Sequence, residues 1–181
     1  MLRYEAPLDC IKEKKMNILD SLYLEMINYY SGDPMRLQHF VKVHDFARII
    51  GICEKLPQKT QFILEAAAYV HDIGIRAAEE KYGKSNGKLQ EQEGPALAEK
   101  MMLGLGFEKD VIERVSYLVG HHHTYTNVEG DDYRILLEAD FLVNMYEENS
   151  SDNAIKSAYD KIFVTETGRD ICKKMFSYAF V

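Results

Sequence analysis

Residues 61–75 read QFILEAAAYVHDIGI, and the fold of the chain turns on how this stretch is placed. Phe62, Ala66, Tyr69, Val70 and Ile73 recur at helical spacing, which predicts a helix with one face packed inward. His71 and Asp72 then fall in its last turn among buried neighbours, where an unpaired carboxylate is costly. A metal ion removes that cost, and imidazole with carboxylate is a common ligand set for divalent cations. The negative end of the helix dipole also favours a cation. Gly74 suits the position just past the helix, where left-handed backbone is often needed. One His-Asp pair alone could be a chance dipeptide; its company argues otherwise.

Upstream lies His44 in LQHFVKVHDFA, and downstream lie His121-His122-His123 and Asp140 in LLEADFLVN. His44 shares a helical face with Leu37, Phe40, Val41 and Ala47, which predicts that it points inward. A lone histidine on such a face is usually a hydrogen-bonded core residue; several inward candidates together favour metal. Asp140 sits among Leu136, Leu137, Ala139 and Val143 with no Arg or Lys one turn away. His122 falls in phase with Val111, Val115 and Leu118, and His123 with Ile112 and Val119. His121 follows the wetter face of Asp110, Arg114 and Tyr117 and is expected to stay outside the site.

The order His, His-Asp, His pair and Asp in a helical chain resembles the HD-domain superfamily of metal-dependent phosphohydrolases, over about residues 37–146. The resemblance implies a single HD-type helical domain over 1–181, with 150–181 adding C-terminal packing helices. It implies one metal held by His44, His71, Asp72 and Asp140. A second would be held by His122 and His123 and bridged by Asp72, the residue expected to be central to catalysis. Some two-metal relatives carry a further histidine before the helix that precedes the pair. Here that stretch is LQEQEGPALAEKM, and Glu93 is the nearest substitute. Glu91 or Glu93 could instead only favour a helix start. The mixed donors suit one or two ions of Fe, Mn, Co, Ni or Zn better than Ca or Mg.

The chemistry expected of such a centre is attack of metal-activated water on a phosphate ester or phosphoanhydride. The substrate is expected to be a small phosphorylated compound such as a nucleotide. Arg76, Lys81, Lys84, Lys88 and Tyr125 are candidate substrate contacts, and each could equally be a solvated side chain. The GYP motif of cyclic-dinucleotide-cleaving relatives is absent; TYTNVEGDDYRIL stands in its place. Compact bacterial diadenosine-tetraphosphate hydrolases are the nearest named analogues. Two other readings stand beside this one: a non-catalytic metal- or nucleotide-binding module, and a diiron oxygenase of the same fold.

The chain has 181 residues, 46% of them hydrophobic and 28% charged, which describes an ordinary globular protein with one core. A net charge of -7 argues against an open nucleic-acid-binding surface. No apolar run is long enough to span a membrane and the N-terminus lacks a signal-peptide core, so a cytoplasmic location is expected. Cys10, Cys53 and Cys172 are widely spaced and read as reduced thiols. Periodicity predicts an all-α fold with helices near 15–30, 35–56, 60–73, 91–104, 108–122, 132–148, 152–162 and 166–178. Pro34 is expected in a first helical turn, and Thr60 could cap the helix that carries His71. Residues 79–92 and 124–132 are expected as polar loops flanking the site. The C-terminal stretch either completes the core or forms a contact in a homodimer.

Overall fold

The computed structural model describes residues 16–180. Among these, nine α-helices and a closing 3-10 turn (Ser177–Phe180) form an all-α bundle without strands. The helices are α1 (Ile18–Tyr29), α2 (Pro34–Cys53), α3 (Gln58–Val70), α4 (Gly74–Tyr82), α5 (Gly87–Leu105), α6 (Lys109–Val119), α7 (Asp131–Glu147), α8 (Asp152–Lys161) and α9 (Glu166–Met175).

Helix α3 is the centre of the bundle. Its Ala66, Ala67 and Ala68 are all fully buried. Three consecutive buried positions cannot lie on one stripe, so the helix is enclosed. Small side chains let α1, α2, α6 and α7 approach it together. Its own Leu64, with Leu22, Met26, Phe40, Val43, Leu118, Leu136 and Leu142 around it, fills the core without exposure. Truncating any one of the leucines to alanine would cost about 2–5 kcal/mol.

Helix starts follow local chemistry. Pro34 lies in the first turn of α2, as the sequence predicts, and the Asp33 side chain accepts from the Arg36 amide. Asn86 accepts from the Leu89 amide and opens α5. Helix α3 starts earlier than expected, at Gln58, so Thr60 lies inside the first turn and caps nothing.

Two expectations fail beside the site. The polar loop expected over 79–92 is mostly helix: α4 ends at Tyr82, Gly83 closes it with φ 69°, and α5 begins at Gly87. Only Gly74 and Ala78 of α4 are buried, so it lacks the apolar stripe by which periodicity finds a helix. Gly74 is also not a left-handed cap; it is the first residue of α4. Its small size is needed for another reason. A Cβ there would meet the Gln90 carbonyl oxygen at 2.5 Å and the Gly94 amide nitrogen at 2.8 Å. The two glycines let α4 lie directly on α5, and that contact fixes where the His-Asp turn points.

Candidate metal centre

Helix α3 stops at Val70, and His71, Asp72 and Ile73 form a turn that leads straight into α4. Tyr30, fully buried at the end of α1, holds this turn. Its hydroxyl donates to the Asp72 carbonyl at 2.9 Å, with the Ile73 carbonyl at 3.2 Å. Burial pushes the Tyr30 phenol well above its ordinary range, so it remains a donor. The second histidine turn, after α6, is pinned by Tyr133, whose hydroxyl lies 2.6 Å from the Thr124 carbonyl and also reaches that of His121. Arg114 clamps Asp132 through two bonds of 2.7 and 2.8 Å and fastens α6 to the start of α7.

These anchors bring two groups of three donors together: His39, His71 and Asp140, then Asp72, His122 and His123. In the first, His39 Nε2 is 3.3 Å from His71 Nε2 and 3.2 Å from Asp140 Oδ1, and His71 Nε2 is 3.5 Å from the same oxygen. Asp72 stands between the groups. Its Oδ2 faces His71 and His39 at 3.6 and 3.8 Å, and its Oδ1 faces His122 Nε2 at 3.1 Å.

The far side of each ring explains why these nitrogens converge. His71 Nδ1 donates to the Ala68 carbonyl at 3.0 Å, and His122 Nδ1 to the Val119 carbonyl at 2.8 Å. A carbonyl can only accept, so both rings carry a proton on Nδ1 and turn Nε2 inward, the nitrogen placed to act as a ligand. His39 Nδ1 is paired with Glu147 Oε2 at 2.9 Å, and Lys42 holds the other Glu147 oxygen. Among the three, only His39 is backed by an anion.

Electrostatics agree with the geometry. Burial opposes a charge on His39, but Asp140, Asp72 and Glu147 outweigh it and push its pKa up to about 9. Burial likewise opposes ionisation of Asp72 and Asp140. Their histidine neighbours nevertheless hold both carboxyls well below the usual range. His123 is shifted down by burial and by His122 beside it. Two carboxylates in a nearly closed site therefore face ring nitrogens that need a positive charge among them. Asp140 Oδ1 is buried without a hydrogen-bond partner. That orphaned oxygen, aimed at two imidazole nitrogens, fits a divalent transition metal by position and by donor chemistry.

The structure corrects the sequence reading at His44. It lies outside both groups, stacked on Tyr69 with ring centres 3.9 Å apart and with Nε2 3.3 Å from Glu65. Burial lowers its pKa despite Glu65. His39 takes the place expected for it. Helical phase could not separate the two, because Phe40 and Ala47 flank both. The hairpin could have: α2 and α3 are joined by a short turn, and His39 stands as far before Cys53 as Asp72 stands after Gln58. His44 stands level with Ala67, one turn and more short of the His-Asp pair.

Glu93 is corrected as well. It accepts from Tyr82 at 2.8 Å and Lys81 at 3.0 Å on the outer side of the α4–α5 pair. Lys81, a candidate substrate contact, is thereby committed to Glu93. Residues nearer the start of α5 meet the site instead. Gln90 Oε1 bonds His123 Nε2 at 2.5 Å, and Glu91 accepts from the His123 amide and the Thr124 hydroxyl, both at 3.0 Å. Gly87 lets the helix start lie on the His123 ring, where a Cβ would stand 2.6 Å from Cγ. His121 turns away as its phase predicts, stacked on Tyr117 and bonded to its carbonyl at 2.7 Å.

The candidate substrate residues fare unequally. Arg76 bonds Glu80 and the Tyr29 carbonyl and covers the Tyr29 ring, away from both groups. Lys84 and Lys88 are exposed. Tyr125 reaches the centre, its hydroxyl 3.5 Å from His123 Nδ1. Cys53 and Cys172 are both free thiols, the first exposed and the second buried; Cys10 lies outside the described residues. Among the described residues no helix is long and apolar enough to cross a membrane.

No protein-family model matches the chain, and no curated protein does. Among solved structures it is similar to the 1.45 Å crystal structure of a predicted HD superfamily hydrolase from an uncultured Thermotogales bacterium. The two share 25% sequence identity over 90% of this chain and 85% of that one, with a TM-score of 0.61.

Proposed function

On the premise that the chain has the fold and the His/Asp cluster of the HD superfamily, we propose that it is a metal-dependent phosphohydrolase. Its substrate is a small phosphorylated compound, a nucleotide being the first class to test. The observation that carries the reading is the division of Asp72, one oxygen toward His39 and His71 and the other toward His122. A carboxylate so placed can serve two cations side by side. Divalent Fe, Mn, Co, Ni or Zn held there would lower the pKa of water and supply positive charge against a phosphoryl oxygen.

The protein groups have separable tasks. His39, His71 and Asp140 form one donor set, and Asp72, His122 and His123 the other. The Ala68 and Val119 carbonyls and Glu147 fix the ring orientations. Gln90 and Glu91 hold His123 and its turn against α5. Tyr125 stands at the exposed side, where a substrate can approach.

The test is metal content followed by a screen. Wild-type protein is expected to hold up to two equivalents of transition metal and to release phosphate from at least one ester of a nucleotide panel. His39→Ala should lose metal and activity, whereas His44→Ala should keep its metal. Full metal in His39→Ala would overturn the assignment of the centre. Metal binding without hydrolysis of any ester would leave a binding module.

A further inference from the structure

Tyr125 belongs to two places at once. Its hydroxyl stands beside His123, and its ring packs edge-on against Phe141, the chain neighbour of Asp140. The same residue also walls a cavity of about 240 Å³, together with Val128, Arg134, Leu137, Lys161 and Val164. Arg134 rises from the first turns of α7, and Lys161 ends α8. The Arg134 guanidinium donates to the Val128 carbonyl at 3.2 Å, and no carboxylate among the described residues lies in ion-pair contact with either cation. Arg36 and Arg114, by contrast, are each held by an acid. In a chain of net charge -7, two cations without a carboxylate partner among the described residues therefore share one concavity beside the His/Asp cluster.

We propose that this cavity is a subsite for a second phosphate group of the substrate, with Arg134 and Lys161 as its cationic contacts and Tyr125 as the wall between it and the metal centre. This rests on the phosphohydrolase reading for its role, though not for its anion binding. Arg134 precedes Asp140 by six residues, about 9 Å of helix rise. That span exceeds a single phosphoanhydride link. It suits a bisphosphorylated metabolite or the far end of a polyphosphate tail. A guanidinium can meet phosphate oxygens through two parallel N–H donors, and an ammonium adds a point charge. The scissile group would lie at the His/Asp cluster, and the second phosphate would fix which end of the substrate enters.

The experiment titrates inorganic phosphate into metal-free protein and follows backbone and side-chain resonances. The double variant Arg134→Gln/Lys161→Gln leaves the His/Asp cluster intact, so the comparison with wild type separates phosphate bound in the cavity from phosphate bound at the cluster. Saturable shifts at Tyr125, Val128, Arg134 and Leu137 are expected, lost in Arg134→Gln/Lys161→Gln. Both residues are exposed, and circular dichroism would verify that the variant folds. Absence of saturable shifts, or their survival in the double variant, would overturn the subsite. With metal-loaded protein, the double variant should raise KM for adenosine 3′,5′-bisphosphate about tenfold more than for adenosine 5′-monophosphate, the size of a lost charge-assisted hydrogen bond. An equal rise for both would also overturn it. Phosphate binding in the cavity without hydrolysis of any ester would sink the phosphohydrolase reading and leave the anion site standing.

Discussion

Glu147→Gln tests whether the centre is tuned from behind its ligands. Glu147 Oε2 pairs with His39 Nδ1 at 2.9 Å, and Lys42 occupies its other oxygen. Burial opposes the carboxylate, but Lys42 and His39 outweigh it and lower its pKa, so it is anionic at neutral pH. An anion behind an imidazole makes the opposite nitrogen a better donor, and losing such a partner typically costs 10–100-fold in metal affinity. Glu147 is 27% exposed at its side chain and already shares its charge with Lys42, which places the expected loss at the low end. About tenfold, or ~1.4 kcal/mol, is the working figure. The glutamine can still accept from Nδ1 and keep the ring oriented, so Glu147→Ala should lose more. The assay is competition of metal-free protein against a zinc indicator, with cobalt absorption spectra reporting ligand geometry. The expected order of affinity is wild type, then Gln, then Ala. Equal affinity for all three would refute the idea that Glu147 acts through His39.

Three further outcomes follow from particular contacts. The metal-free protein should lose stability as pH rises. His39 is pushed up to about 9 in the folded state, against about 6.5 unfolded. Its contribution is therefore complete below 6.5 and gone above 9; denaturant melts across that range would check it. Glu138 is fully buried and accepts from the Val164 and Thr165 amides at 2.7 and 2.8 Å. Glu138→Ala should cost about 3 kcal/mol by orphaning them, read as a lower urea midpoint. Gly74→Ala drives a methyl into backbone of α5 and should cost about 1–3 kcal/mol, with a loss of metal affinity as the His-Asp turn shifts. Unchanged affinity in that variant would show that the turn is held by Tyr30 alone.

Residue types and their order along the chain determined the all-α class and the presence of a His/Asp centre. Both depend on local patterns: helical periodicity, and the chemistry of His71-Asp72, His122-His123 and Asp140 at inward positions. Side-chain phase also separated His121 from its neighbours, because the α6 stripe of Val111, Val115 and Leu118 runs straight to His122. Tertiary structure decided the rest. His39 rather than His44 faces the pair because the α2–α3 hairpin sets the level at which two helices meet, a distance that phase within one helix does not contain. Glu93 is turned outward and Glu91 inward because α5 begins at Gly87 and lies against α4 through Gly74 and Gly94. Glu147, which no local pattern marks, reaches His39 across the α2–α7 interface. Sequence named five of the six donors; packing chose His39 as the sixth and brought residues distant in the chain to within bonding distance of one another.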